Sequence, residues 1–282
     1  MHIKETFESR FQGDGLLVEA DFGQLELMAL AELSEDTALK QALLGEGRDF
    51  HAENAAAWLK KDVSDVSPKE RKLAKTLTFQ LTYGAGAKSM SESMGIIQTE
   101  ASNFIYTFYS SYPQVHAWQL DVLTTLNLTA HDCGDREMGQ PMRRSYYTNA
   151  LTGRKLLFVE QVSKYTNNNK VQFSYTKAKN YPVQSFATGD IVPECLGRLA
   201  HRVLTRDKEN DILLCSTTHD SVLLDIRKDE LGLTIQLLKE ALDVRRWMKA
   251  RFNATLSMSY PIEIEVGHNW KNMVVLKFKN EE

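Results

Sequence analysis

The sequence predicts an α+β fold in which a mostly helical segment is inserted into a sheet domain. Residues 15–21 (GLLVEAD) form a short apolar run that ends on an acid, as expected of a buried strand. Residues 212–226 (ILLCSTTHDSVLLDI) hold two apolar runs around a polar centre, which predicts a β-hairpin with THD at its turn. Residues 262–266 (IEIEV) alternate with period two, which favours a half-exposed strand. The strands thus come from both ends of the chain.

The clearest predicted helix covers residues 68–83. Ser67 is placed to be its N-cap, and Glu70 stands three residues later, which completes a capping box. Gly84 and Gly86 mark its end.

Three further segments are assigned with less detail. Residues 23–33 predict a helix directly after the first strand. Residues 131–180 are rich in Gly, Asn, Tyr and basic side chains and predict loops with short strands. A helix is predicted over residues 181–204, with a kink at Pro193.

Composition restricts the class of protein. The chain has 282 residues, 43% of them hydrophobic, and a net charge of −3, as in ordinary globular proteins. No apolar run of transmembrane length and no signal peptide is visible, so we expect a cytoplasmic protein without a membrane partner. The three cysteines are widely spaced and predict neither a disulfide framework nor a zinc cage. The net charge does not decide for or against a nucleic-acid partner, because the local field governs such binding.

Two acids carry the first candidate chemistry. Asp21 ends the first strand, and Asp220 lies at the hairpin turn; either alone would be read as a turn or cap residue. On adjacent strands of one sheet, the two carboxylates could hold two Mg²⁺ ions about 4 Å apart. Such a pair suits in-line phosphoryl transfer, in which charge on the attacking and leaving oxygens needs neutralising.

The helix RKLAKTLTFQLTYG carries the second candidate chemistry. Arg71, Lys75 and Phe79 recur every four residues and therefore share one face. Its cations lie towards the positive end of the helix dipole, where phosphates bind favourably. This face predicts a strip that binds a triphosphate.

The segments DFGQLEL, RKLAKTLTFQLTYG and THDS, in this order, resemble motifs A, B and C of family A DNA polymerases, the family of bacterial DNA polymerase I. GRDFHAENAA, NYPVQ and EVGHNW resemble other segments of the family at matching places. The resemblance implies a right-hand polymerase palm, an antiparallel sheet flanked by helices, in residues 1–32 and 181–282. Helical fingers and connecting loops would occupy residues 33–180, and the thumb and exonuclease would be absent.

The resemblance also assigns catalytic and metal-binding roles. The carboxylates of Asp21 and Asp220 and the main-chain carbonyl of Phe22 would bind two Mg²⁺ ions. Arg71 and Lys75 would hold the triphosphate of an incoming dNTP, and Lys75 would donate a proton to the leaving pyrophosphate.

Further residues would contact the nucleotide. Phe79 would pack on its sugar and base, and Glu26 would be the steric gate that fills the space of a 2′-hydroxyl. Gln24 and His51 belong to the same nucleotide site by resemblance. Tyr83 would stack near the templating base.

The remaining roles concern primer–template DNA. Gln184 and Asn180 would contact the duplex, Gln184 from its minor groove, and His219 would lie near the primer terminus.

The sequence departs from the family pattern at several positions. Ser221 replaces the second acid of motif C, which predicts weakened activity rather than its loss. Gln80 stands where the family usually has glycine, and Met28 where it usually has arginine. Residues 131–146 look like an insertion.

The predicted function is therefore DNA-directed DNA polymerization by a catalytic chain that needs a partner. The resemblance begins almost at Met1, so we expect a second polypeptide to supply the thumb, the rest of the palm and a 3′–5′ exonuclease, as in split bacteriophage polymerases. This protein would then be located in the cytoplasm of the bacterial host. A longer polymerase cut at this point would give the same sequence. Two alternatives stay open: a non-catalytic DNA-binding or assembly subunit, and a single-subunit RNA polymerase, which HDS resembles but against which Glu26 and Phe79 argue.

Overall fold

The structure is a computed structural model that describes residues 3–45, 47–133, 142–161, 173–206 and 211–277. The chain divides into two compact units, the first formed by Met1–Leu25 with Ala187–Glu282 and the second by Glu26–Phe186. The sequence had placed these divisions after residues 32 and 180. Among the described residues, no helix is long and apolar enough to cross a membrane.

Eight strands and eleven α-helices lie in the described ranges. The strands are β1 (Gly15–Phe22), β2 (His131–Asp132), β3 (Met142–Thr148), β4 (Lys155–Gln161), β5 (Ile212–Thr218), β6 (Ser221–Arg227), β7 (Ile262–Gly267) and β8 (Val274–Val275). The helices are α1 (Leu25–Ser34), α2 (Thr37–Leu44), α3 (Phe50–Leu59), α4 (Pro68–Thr82), α5 (Ala87–Met94), α6 (Gln98–Ser111), α7 (Pro113–Leu128), α8 (Tyr175–Gln184), α9 (Val192–Leu204), α10 (Leu231–Ala241) and α11 (Val244–Phe252).

The first unit is built on a five-stranded antiparallel sheet with the order β5-β6-β1-β7-β8. β1 is its central strand, and Val18 and Ala20 on one face of β1 are completely buried. Helix α9 packs beside β5, and α10 packs on β6 and α9. The predicted strands at 15–21, 212–226 and 262–266 are all present, the first extended by one residue to Phe22. The turn of the β5–β6 hairpin is formed by His219 and Asp220, while Thr218 of the predicted THD turn is the last residue of β5.

The predicted helix over residues 181–204 is present, although not as one uniform α-helix. The helical stretch begins earlier, with α8 at Tyr175, and continues through a π-helical segment at Ser185–Ile191 into α9. Pro193 lies in the first turn of α9, directly after this π-helical segment, and the predicted kink there stays a prediction.

The second unit is mostly helical, and its α4 follows the predicted signals closely. The Ser67 hydroxyl accepts from the Glu70 N–H, and the Glu70 carboxylate accepts from the Ser67 N–H at 2.8 Å. Gly84, with φ of +84°, ends the helical path where the sequence placed the stop. Helix α4 packs on α3 and α6 through its buried side, which includes Ala74 and Leu77.

The second unit also holds a three-stranded antiparallel sheet, β2-β3-β4. The sequence predicted loops with short strands here, but β3 and β4 each span seven residues. Their hairpin is longer than expected because Phe158 packs into a small core with Phe173 and the buried side of α7. The predicted insertion at 131–146 lies partly outside the described residues, which omit 134–141.

Candidate active site

The first unit has an acidic cleft where β1 ends and the β5–β6 hairpin turns. Asp21 pairs with Ser221, the first residue of β6, so the turn residue Asp220 is held beside it. The main chains are joined there because the Phe22 N–H donates to the Asp220 carbonyl at 3.4 Å. The cleft has a volume of about 270 Å³ and is lined by Lys4, Glu19, Asp21, Thr218, His219, Asp220, Ser221, Glu263 and Glu265.

Burial and the neighbouring Asp220 carboxylate oppose the ionisation of Asp21. The pKa of Asp21 is raised to about 6 by burial, then by the charge of Asp220, with smaller contributions from Glu19 and Glu263. The pKa of Asp220 is also raised by burial, although a main-chain hydrogen bond, the His219 charge and a hydrogen bond with Asp21 each lower it. A cation between the carboxylates would relieve this repulsion, and carboxylate oxygens are the ligands that Mg²⁺ prefers.

The donor set fits Mg²⁺ that is completed by a substrate rather than by the protein alone. Within the described ranges, no group of three or more His, Cys, Asp or Glu side chains is arranged to hold a metal ion. Magnesium in phosphoryl-transfer sites usually takes one or two carboxylates together with phosphates and water. The Phe22 side chain is buried, so only its main-chain carbonyl is left to bind a metal ion as predicted.

In the second unit, the predicted strip is present on α4. Arg71 and Lys75 are exposed and Phe79 is half-buried, while the opposite side of the helix is in the core. The Lys75 ammonium lies 5.9 Å from the centre of the Phe79 ring. Arg71 donates through Nε to Asp49, which is also the N-cap of α3, so its guanidinium is oriented by a fixed carboxylate.

His51 belongs to this strip. Its ring is 3% exposed and lies 6.0 Å from the Phe79 ring, centre to centre. Burial and then the charges of Lys75 and Arg71 lower its pKa to about 4, so the imidazole is neutral at physiological pH. Neither ring nitrogen has a hydrogen-bond partner within the described part of the chain. A buried imidazole in this state is suited to meet a ligand atom.

In the second unit, the side chains of Glu26 and Tyr83 form a hydrogen-bonded pair. The Tyr83 hydroxyl donates to Glu26 Oε1 at 2.7 Å, which joins the first turn of α1 to the end of α4. Tyr83 leaves 40% of its surface exposed. Gln24 precedes α1 with φ of +57°, and its Oε1 is buried without a described partner.

The predicted DNA-contacting residues are placed separately. Asn180 and Gln184 lie one turn apart on α8 in the second unit, both half-buried. His219 is exposed at the hairpin turn of the first unit, with φ of +56°. The structure thus groups Asp21, Asp220 and His219 in one unit, and the α4 strip with His51 in the other.

Sequence reasoning missed several residues of the cleft, namely Glu19, Glu263 and Glu265. The Glu19 carboxylate accepts from Ser221 Oγ at 3.1 Å and from Trp270 Nε1 at 2.9 Å. The period-two pattern of IEIEV was the available signal, since it places Glu263 and Glu265 on one face of β7.

A second missed feature is a cavity of about 590 Å³ in the helical unit, lined by Tyr106, Tyr109, Tyr175 and Lys179 among others. Lys179 is 5% exposed, donates to the Tyr109 hydroxyl at 2.8 Å and lies 4.0 Å from the Tyr175 ring centre. Burial lowers its pKa to about 8. Nothing in the local sequence signals that this lysine is buried.

An antiparallel sheet that presents paired carboxylates, together with a helical unit that presents a cationic strip, defines the palm-and-fingers class of nucleic-acid polymerases. The family model for DNA polymerase family A matches residues 1–272, and the chain belongs to that family.

Curated relatives agree with this assignment. The chain is 30% identical over 256 residues to a thermostable DNA polymerase I of Thermus filiformis, which covers 90% of this chain and 27% of that protein. It is also 30% identical to DNA polymerase I of Synechocystis sp., over 92% of this chain and 25% of that protein. The chain therefore spans about a quarter of the length of these relatives.

A solved structure shares the fold. The POL domain of Pol1 from M. smegmatis, in complex with DNA primer-template and dNTP, matches with a TM-score of 0.69 and 21% identity. The match covers 95% of this chain and 42% of that structure.

Proposed function

We propose that this chain is the catalytic part of a DNA-directed DNA polymerase, which adds dNMPs to a primer 3′ end by two-Mg²⁺ phosphoryl transfer. The observation that carries the proposal is the Asp21–Asp220 pair, two carboxylates held side by side in one cleft, where divalent cations would stabilise their charges. Family membership supports the same reaction. In this proposal the unit with the five-stranded sheet is the palm, and the helical unit is the fingers.

The metal site would be formed by the two aspartates and the Phe22 carbonyl. When bound, two Mg²⁺ ions would neutralise the developing charge on the attacking and leaving oxygens. Asp21 lies near the end of the central strand β1, and Asp220 lies in the turn that leads into its neighbour β6, so the sheet gives both ligands a rigid support. His219, beside Asp220, would lie near the primer terminus.

The α4 strip would bind the dNTP. Arg71 would contact the phosphates with its guanidinium held by Asp49, and Lys75 would hold the triphosphate and give a proton from Nζ to the leaving pyrophosphate. Phe79 would pack on the sugar and base. His51, neutral and buried beside Phe79, would offer a ring nitrogen to the same nucleotide.

The remaining residues would select the sugar and guide the template. Glu26, held by Tyr83, would exclude a 2′-hydroxyl, and Gln24 would belong to the same nucleotide site. Tyr83 would stack near the templating base through its exposed face. Asn180 and Gln184 would contact the primer–template duplex from α8.

A second polypeptide would carry the thumb, the remaining palm and a 3′–5′ exonuclease. The assembly would work in the cytoplasm, which is the cytoplasm of the bacterial host if the gene belongs to a bacteriophage. The chain spans about a quarter of the length of the curated relatives.

Single-nucleotide primer extension tests the reaction. The wild-type chain, Asp220→Asn and the control Asp229→Asn, an exposed acid after β6, would be compared with Mg²⁺, dNTPs and a labelled primer–template. We expect extension by wild type and Asp229→Asn and none by Asp220→Asn.

If the chain alone is inactive, the assay would be repeated with a polypeptide that supplies the thumb and first palm segment. Inactivity of that assembly on primer–template that it binds would refute the polymerase proposal in favour of a non-catalytic subunit. Preferential use of rNTPs would instead indicate an RNA polymerase.

A further inference from the structure

The departure in motif C leaves a serine beside the predicted metal site. Ser221 begins β6 and lies opposite Asp21 in the register of the sheet. Its hydroxyl has two acceptors within reach, Glu19 Oε1 at 3.1 Å and the Thr218 carbonyl at 3.2 Å. Ser221 thus contacts a carboxylate where the family pattern would place one.

Glu19 is built into the cleft. It precedes Asp21 by two residues on β1, so both side chains project from the same face of the sheet. One carboxylate oxygen meets Ser221, and the other accepts from the indole N–H of Trp270 at 2.9 Å. Two donors on separate strands and segments therefore fix the orientation of this carboxylate.

The location matters because Glu19 lines the same cleft as Asp21 and Asp220. A carboxylate two residues before Asp21 in an antiparallel strand lies about 7 Å along the chain from it, close enough to act on a bound cation directly or through water. Outer carboxylates of this kind tune metal affinity even when they are not ligands.

We propose that Glu19, oriented by Ser221 and Trp270, replaces the missing second acid of motif C as a positioning residue for the metal ions. This inference rests on the proposed function. Glu19 supplies negative charge and a hydrogen-bond acceptor at the cleft, and Ser221 transmits its position to the turn that carries Asp220.

The test measures Mn²⁺ binding to the purified chain by electron paramagnetic resonance, without catalysis. Glu19→Gln keeps the size of the side chain and can still pair with both Ser221 and Trp270. We expect it to weaken Mn²⁺ binding by about tenfold. Glu265→Gln is the matched control, since Glu265 is directly opposite Glu19 on β7, lines the same cleft and loses the same charge. Glu265→Gln should weaken Mn²⁺ binding by less than about threefold.

A rescue variant separates the role of Glu19 from a loss of folding. In the Glu19→Gln background, Ser221→Glu should restore most of the Mn²⁺ affinity, because it returns an acid to the family position. In the wild-type background the same change places a new acid against Glu19, so it should lower the thermal unfolding temperature measured without metal.

The outcomes distinguish the two proposals. Wild-type Mn²⁺ affinity in Glu19→Gln, or equal losses in Glu19→Gln and Glu265→Gln, would overturn the role of Glu19. If Asp21→Asn and Asp220→Asn also bind Mn²⁺ as wild type does, or wild type binds none, the metal-site part of the proposed function fails as well.

Discussion

Removing the hydroxyl of Tyr83 is expected to weaken discrimination against ribonucleotides although this hydroxyl would not touch the sugar. In the proposed function Glu26 is the steric gate, and the Tyr83 hydroxyl holds its carboxylate at 2.7 Å. A hydrogen bond to a charged group contributes about 1.5–3 kcal/mol. Because Tyr83 is 40% exposed, water can replace part of this interaction, and the lower value applies.

About 1.5 kcal/mol corresponds to roughly a tenfold change in an equilibrium between held and released Glu26. Tyr83→Phe should therefore reduce the preference for dNTP over rNTP by up to about tenfold. Glu26→Ala should reduce it further, because it removes the gate itself. The double variant should match Glu26→Ala, since the hydroxyl then has no gate to hold.

The assay is single-turnover incorporation of one dNTP and its matching rNTP, in the assembly that proves active, with the ratio of kcat/KM values as readout. Tyr106→Phe is the control, because it removes a hydroxyl from a tyrosine on α6 that is 75% exposed. An unchanged ratio in Tyr83→Phe, or independent multiplicative losses in the double variant, would refute the reasoning.

Three further predictions concern stability. Asp220→Asn should raise the unfolding temperature measured at pH 8 without metal, and it should abolish any further rise of that temperature on addition of Mg²⁺. Because the folded pKa of Asp21 is raised to about 6, the gain in unfolding temperature should grow between pH 4 and 6 and be absent below pH 4. A gain that does not depend on pH would contradict the repulsion between Asp220 and Asp21. The free energy of unfolding should rise by about 2 kcal/mol between pH 8 and 10, because Lys179 loses its proton at lower pH in the folded chain than in the unfolded chain, and this rise should vanish in Lys179→Met. Urea titrations across that range would measure it, and an identical rise in the variant would disprove it. Asp36→Ala should lower the free energy of unfolding in urea by about 3 kcal/mol. This carboxylate is 1% exposed, caps α2 by accepting the N–H of Leu39, and accepts two N–H groups from the first turn of α7. A decrease of less than about 1 kcal/mol would show that these hydrogen bonds are dispensable.

The sequence predicted the elements whose causes are local. Ser67 and Glu70 are three residues apart and form the capping box they predict. The hairpin turn at Asp220 follows from two apolar runs around a polar centre, and β7 follows from its alternation. The pairing of Asp21 with Asp220 needed one added assumption, that both strands share a sheet, which the register confirms.

Features that depend on packing between distant segments were not predictable. No signal in the local composition predicts the π-helical turn at Ser185–Ile191, so a helix kinked only at Pro193 was expected. Lys179 reads as a surface lysine, yet it is buried between Tyr109 and Tyr175 because α8 packs on α7 and neighbouring helices. Glu19 was read as part of an apolar strand, and its partners Ser221 and Trp270 lie more than 200 residues away.

The position of β1 between two partners limits how the gene can vary. β1 is paired along its length with β6 on one side and β7 on the other, so its register is fixed twice. Gain or loss of one codon between Leu16 and Ala20 would turn every later side chain of the strand to the opposite face, directing Asp21 into the core. Descendants of this gene are therefore expected to accept substitutions within β1 but no change in its length, while insertions accumulate in the loops of the helical unit.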